Sequence, residues 1–280
     1  MRKQTEIASF TLLFISLILI EPTQGAIVYH DDFQNSDEGA ELGLGGDAPT
    51  IRNALYGGSS NATWLTTTPN YWGSDGSKIA GTVNAFLPVT IPSTTNGIVY
   101  TLSVDISVAA SSGGDWLAIG FANSNSGVFW DLGAPWALLR GQTTSGDGSG
   151  LDATPNTGRA FSRFEDNGAN LVLGGANELG PYMGTFQIQI DTNPEFWTTT
   201  WSFRESGQSD FTDFHLYQFS ASDPNPNINY VGVGAVNNGS GYIDNFTLTA
   251  VPEPTTTSLF SILVIASLLM RRRAATTSSS

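Results

Sequence analysis

The chain of 280 residues contains no cysteine, which excludes disulfides, thiolate catalysis and cysteine-ligated metal sites. Histidine is almost as scarce. Only His30 and His215 occur, too few for a multi-histidine zinc site, and there is no His-Glu-x-x-His run. Basic residues are few: 11 Lys/Arg stand against 25 Asp/Glu, for a formal charge of −14. Five of those cations (Arg2, Lys3, Arg271, Arg272 and Arg273) lie at the two ends, so the stretch between them is more acidic still. Such a surface repels nucleic acid and anionic lipid and suits cations, and nucleic-acid binding is excluded as a function. No Gly-x-Ser-x-Gly nucleophile elbow is present, and the interior shows no convincing apolar 3.6-residue period.

What is there begins with an export signal. Met1 to Lys3 is basic, residues 8–20 form an apolar and small-polar run, and Thr23-Gln24-Gly25 places small residues at its last and third-last positions. These are the n-region, h-region and cleavage site of a secretory signal peptide spanning 1–25. Residues 26–250 then form the exported part, long enough for one large β domain with its own core.

Within that part the apolar period is two. Tyr100, Leu102, Val104, Ile106 and Val108 alternate with polar residues, as do Phe186, Ile188 and Ile190. Trp197, Thr199, Trp201 and Phe203 share one face, and Tyr242, Asp244, Phe246 and Leu248 share another. Residues 116–121 are a fuller apolar run, the pattern of a strand covered on both sides. Gly/Pro/Asn/Asp clusters such as Asp191-Thr192-Asn193-Pro194 and Asp223-Pro224-Asn225-Pro226 separate these runs. The polar, glycine-rich stretch 143–158 reads as a long loop. Strands with one apolar face and no helix between them predict an all-β, antiparallel sandwich.

The stretches Gly114-Asp115-Trp116-Leu117-Ala118-Ile119-Gly120-Phe121, Phe186-Gln187-Ile188-Gln189-Ile190-Asp191-Thr192, Val231-Gly232-Val233-Gly234 and Tyr242-Ile243-Asp244-Asn245-Phe246 resemble concanavalin A-like jelly rolls of the laminin-G and lectin/glucanase type. The resemblance implies a jelly-roll β-sandwich over most of 26–250. The Glu-x-Asp-x-x-Glu strand that jelly-roll glucanases commonly carry, with two carboxylates on one face, has no counterpart here. Glu38/Glu41 and Glu165-Asp166 are the nearest acidic clusters and read as solvated surface.

The last segment, 251–280, is more specific. Val251-Pro252-Glu253-Pro254, an apolar run over about 257–270 and then Arg271-Arg272-Arg273 resemble the PEP-CTERM sorting signal of bacteria that build exopolysaccharide. That resemblance implies handover by an exosortase-type membrane enzyme acting at or near Pro252, Glu253 and Pro254. The two prolines hold the peptide extended, as a cleft requires. The apolar run falls short of the ~20 residues of an ordinary span, fitting a temporary transmembrane helix. The three arginines hold its far end cytoplasmic.

Two binding chemistries remain open. Asp31 lies two residues before Phe33, and Asp244 two before Phe246; on neighbouring first and last strands, both carboxylates would face apolar surface. Such burial demands a cation or backbone donors, so Asp31, Asp32 and Asp244 are candidate ligands for a structural calcium ion, the one cofactor considered. Among the aromatics, Trp116, Trp197 and Trp201 read as core, whereas Tyr71, Trp72, Trp130 and Trp136 lie in loop-like contexts and are the candidates for stacking on a glycan. The expected function is that of an exported, non-enzymatic cell-surface or matrix protein. A lectin-like module for exopolysaccharide is the alternative, and a glycoside hydrolase is the third choice.

Overall fold

The computed structural model describes residues 25–33, 44–66, 72–74, 79–81, 84–108, 110–111, 116–126, 134–142, 150–154, 182–236 and 241–253. Every element among them is a β-strand. In chain order these are β1 (Ala26–Asp31), β2 (Ile51–Arg52), β3 (Leu65–Thr66), β4 (Trp72–Ser74), β5 (Ile79–Gly81) and β6 (Ala85–Ile91). Next come β7 (Ile98–Val108), β8 (Ala110–Ser111), β9 (Trp116–Ala122), β10 (Trp136–Gln142) and β11 (Gly150–Thr154). The last five are β12 (Tyr182–Asp191), β13 (Thr198–Glu205), β14 (Thr212–Gln218), β15 (Ile228–Val236) and β16 (Gly241–Pro252).

They build two sheets. A nine-stranded sheet runs β14-β13-β12-β7-β16-β1-β2, with the β4/β5 pair attached to β16. A seven-stranded sheet runs β11-β10-β9-β15-β6-β3, with β8 joined in parallel to β10. The long central pairs are antiparallel, as period-two patterning without helices requires. The first strand lies beside the last: Ala26 pairs with Ala250 and Asp31 with Phe246.

The core lies between the sheets. Leu102, Val104, Ile106, Phe186, Ile188, Ile190 and Trp201 from one sheet meet Leu87, Val89, Leu117, Ile119, Phe121, Val231 and Val233 from the other. Each such side chain contributes roughly 1.5–3 kcal/mol by leaving water. Polar links cross the same gap: Trp201 Nε1 donates to Trp136 O over 3.2 Å, and the Tyr29 hydroxyl donates to Pro88 O. As the apolar run 116–121 predicts, both faces of β9 are closed, since Ala118 and Ala122 are buried along with Leu117, Ile119 and Phe121.

Two expectations need correction. The stretch 143–158 is not all loop, because residues 150–154 form β11 and pair with 136–140 of β10. Gly150, Asp152 and Ala153 have weak strand preference, and the backbone hydrogen bonds offered by β10 override it. The alternation of the last strand also breaks. Asn245 adopts a left-handed conformation (φ 49°), so Ile243 as well as Phe246 turns into the core, and Asp244 does not share the Phe246 face. Along β13 and the residue before it, the expected face is buried at Trp197, Thr199, Trp201 and Phe203, although Ser202, at a register shift beside Trp201, is buried as well.

The chain divides into two compact units, Ala26–Ala250 and a second made of Met1–Gly25 with Val251–Ser280. Nearly all of the second lies outside the described residues. Among those described, no helix is long and apolar enough to cross a membrane, and the expected span at 257–270 is not among them.

Candidate functional site

Asp31 ends β1 and is 5% exposed. Its carboxylate does face inward, as expected, but N–H and O–H donors hold it. Oδ1 accepts the Phe33 backbone N–H at 2.9 Å and the Thr50 hydroxyl at 3.5 Å, and Oδ2 accepts Trp64 Nε1–H at 2.6 Å. The tight turn that brings the Phe33 amide back onto Asp31 puts Phe33 in the left-handed region (φ 53°). The Trp64 ring then packs against Phe33 at 6.0 Å and edge-on to Phe246 at 5.1 Å, sealing the carboxylate beneath aromatic surface. Burial pushes the Asp31 carboxyl above its ordinary value. The Trp64 and Phe33 donors oppose that rise, the neighbouring Asp32 charge adds to it, and His30 relieves it slightly.

The three carboxylates are not gathered into a calcium site among the described residues. The Trp64 indole N–H and the Phe33 amide already hold the Asp31 oxygens, which gives the buried carboxylate partners without a cation. Asp32 accepts from the Thr50 hydroxyl at 2.9 Å. Asp244, displaced by the Asn245 bulge, accepts the Asn245 backbone N–H at 2.7 Å. Among the described residues no three acidic or histidine side chains come together as a metal group. Backbone and indole donors satisfy the buried carboxylate instead.

The aromatic candidates separate as well. Tyr71 and Trp130 lie outside the described residues. Trp72 belongs to β4, paired with Gly81, and its side chain is not described. Trp136 is 0% exposed and so offers no free ring face, which corrects its reading as a glycan platform. It sits in a rank of directly paired residues across the seven-stranded sheet: Thr154, Trp136, Gly120, Gly232, Phe86 and Leu65. Ala137 and Leu87 face the core, so Trp136 and Phe86 stand on the opposite, outer face. The two glycines between them form a floor with no room above it. A Cβ on Gly120 would come 2.6 Å from Trp136 Cα, and one on Gly232 would come 2.0 Å from Ala85 O.

Trp136 Nε1 is buried and has no hydrogen-bond partner among the described residues. Tyr230, two residues before Gly232 and only partly buried, packs edge-on to Phe86 at 6.0 Å and is accessible on this face. What this face offers a ligand is the partly exposed Tyr230 ring, an aromatic surface on which the flat C–H face of a polyol ring can lie.

No protein-family model matches the chain, and no curated protein sequence does. Solved structures similar to it include the carbohydrate recognition domain of Emp47p, at 11% identity and TM-score 0.46, covering 84% of this chain and 99% of that one. An endo-1,3-beta-glucanase from Streptomyces sioyaensis matches at 12% identity and TM-score 0.45, covering 83% and 98%. The exoplasmic/lumenal domain of VIP36 in metal-free form matches at 8% identity and TM-score 0.44, covering 83% and 95%. At these identities and scores the likeness assigns neither ligand nor activity to this chain.

Of the sorting residues, Pro252 is the last residue of β16 and Glu253 is exposed. Pro254, Arg271, Arg272 and Arg273 lie outside the described residues. Sequence reasoning missed Trp64 as the partner of Asp31, since nothing local links residues 33 apart. It also missed the Gly120/Gly232 floor, although a glycine inside an apolar strand run is a signal of close backbone approach.

Proposed function

We propose that the chain is an exported, non-catalytic cell-surface or matrix protein. In this reading a concanavalin A-like sandwich at 26–250 follows a leader and precedes a PEP-CTERM-type segment that an exosortase-type enzyme processes. One observation carries it. Ala26, the first residue after the expected leader, pairs directly with Ala250, the last residue before Val-Pro-Glu-Pro. The pair of β1 and β16 thus begins directly after the expected leader, and β16 runs on to Pro252, next to the expected cleavage point. Mass spectrometry of protein from its native envelope tests this. A mature chain starting at Ala26 and ending near Pro252–Pro254 is expected, whereas an intact chain in the cytosol overturns the reading.

The outer face of the seven-stranded sheet supports a second reading, a lectin-like module for exopolysaccharide. Tyr230, partly exposed and packed edge-on to Phe86, is the feature that favours it. Retention on immobilised polysaccharides is expected to fall about tenfold in affinity on Tyr230→Ala. Absence of retention on any of them overturns it.

A further inference from the structure

A cavity of about 330 Å³ opens on the outer face of the nine-stranded sheet, at the small end of the range that holds ligands. Asp105, Met183, Thr185, Arg204, Ser206 and Gln208 are among its walls. The strand register sets their placement. Thr185 of β12 pairs with Asp105 of β7 on one side and Arg204 of β13 on the other, so the three side chains stand in one rank on the face away from the core.

A hydrogen-bonded relay fixes that rank. The Thr185 hydroxyl donates to Asp105 Oδ1 at 2.6 Å and accepts from an Arg204 NH2 group at 3.1 Å, while Asn245 Nδ2 donates to Asp105 Oδ2 at 2.9 Å. The Arg204 guanidinium lies 4.8 Å above the Phe211 ring, which holds its plane. Among the described residues Thr185 is the one hydrogen-bond acceptor Arg204 uses, so most of its five N–H groups remain for a ligand. Each Asp105 oxygen keeps a lone pair beyond the donor it already holds. A donor array and an acceptor array thus flank one hydroxyl, so that a ligand with neighbouring hydroxyls can accept from one and donate to the other. Met183, 56% exposed, supplies an apolar wall for the C–H side of such a ring.

Charge narrows the ligand. Asp105 and Glu205 line the same cavity as the single Arg204, and the whole chain carries −14, so an acidic sugar is repelled. We propose that this cavity binds a neutral pyranose unit of a polysaccharide, with Arg204 donating to one hydroxyl and Asp105 accepting from its neighbour. The ligand class rests on the saccharide reading above, but the site lies on the other sheet and shares no residue with it. A chain with a contact on each sheet could bridge two polysaccharide strands.

Met183 makes the test direct, because the other two methionines, Met1 and Met270, belong to the end segments. Full-length protein carrying ¹³C-methyl methionine is titrated with cellohexaose, laminarihexaose and mannohexaose, and separately with an alginate-derived hexa-uronate; Met183→Leu assigns the signal. At least one neutral oligosaccharide is expected to shift the Met183 methyl resonance saturably. Arg204→Lys keeps the charge but loses the planar donor fork and should weaken that binding about tenfold. Tyr230→Ala should leave it unchanged. The proposal is overturned by a shift with the uronate alone, by unchanged binding in Arg204→Lys, or by neutral-sugar binding abolished by Tyr230→Ala with Met183 silent. The last spares the seven-stranded face. No binding of any sugar at either face, read at Met183 and by calorimetry, sinks both.

Discussion

Replacing Asp31 isolates the energetics of the buried carboxylate. In Asp31→Ala the Trp64 indole N–H and the Phe33 amide both lose their acceptor inside closed aromatic surface. Each buried unpaired donor costs roughly 1–3 kcal/mol, and removing a desolvated charge returns part of that, so a net loss of roughly 2–4 kcal/mol is expected. Asp31→Asn keeps one acceptor and turns an amide donor toward the other partner, so it should lose about half as much. Stability of the parent should also depend on pH in a defined direction. The folded carboxyl titrates above its ordinary 3.8, so the native state holds its proton longer than the unfolded chain does. Its contribution is full below about 3.8 and is lost as pH rises through the higher folded value. Urea unfolding at a series of pH values measures both effects, and the Asn variant should flatten that segment of the profile. An Asp31→Ala protein within about 0.5 kcal/mol of the parent, a typical surface-substitution effect, would show that the donors are not confined and the reasoning is wrong.

Other substitutions probe the strand geometry. Gly120→Ala drives a Cβ to 2.6 Å from the backbone of Trp136 and should cost roughly 1–3 kcal/mol by overpacking, read in thermal or urea unfolding; an unchanged midpoint refutes the close approach. Asn245→Gly loses the bond to Asp105 but keeps the left-handed turn, and should cost about 1 kcal/mol. Asn245→Val adds backbone strain of roughly 1–3 kcal/mol, and equal effects of the two changes would remove strain from the account. Because the Phe33 amide and Trp64 indole already hold Asp31 and no acidic cluster surrounds it among the described residues, excess Ca²⁺ and excess EDTA should give the same melting temperature. A rise of several degrees in Ca²⁺ would reveal a bound cation and overturn that account of Asp31.

The sequence alone determined the architecture. Period-two alternation from Tyr100 to Val108 and from Phe186 to Ile190, with turn residues between such runs and no helical period, leaves two apolar sheet faces that must bury each other, and they do. It also determined the acidic surface and the lack of histidine and thiol chemistry, since composition does not depend on folding. Tertiary structure decided the rest. A period of two says which residues share a face until one residue leaves the extended region, and Asn245 does so, which is why Asp244 parts from Phe246. The same period does not say whether the outer face of a sheet is covered, so Trp136 reads as loop aromatic and proves buried. Hydrogen-bond partners across the fold obey no local rule: Asp31 finds Trp64 33 positions away, and Asp105 finds Thr185 80 positions away. Local pattern chooses the strands, and only the register of their neighbours brings particular side chains within reach.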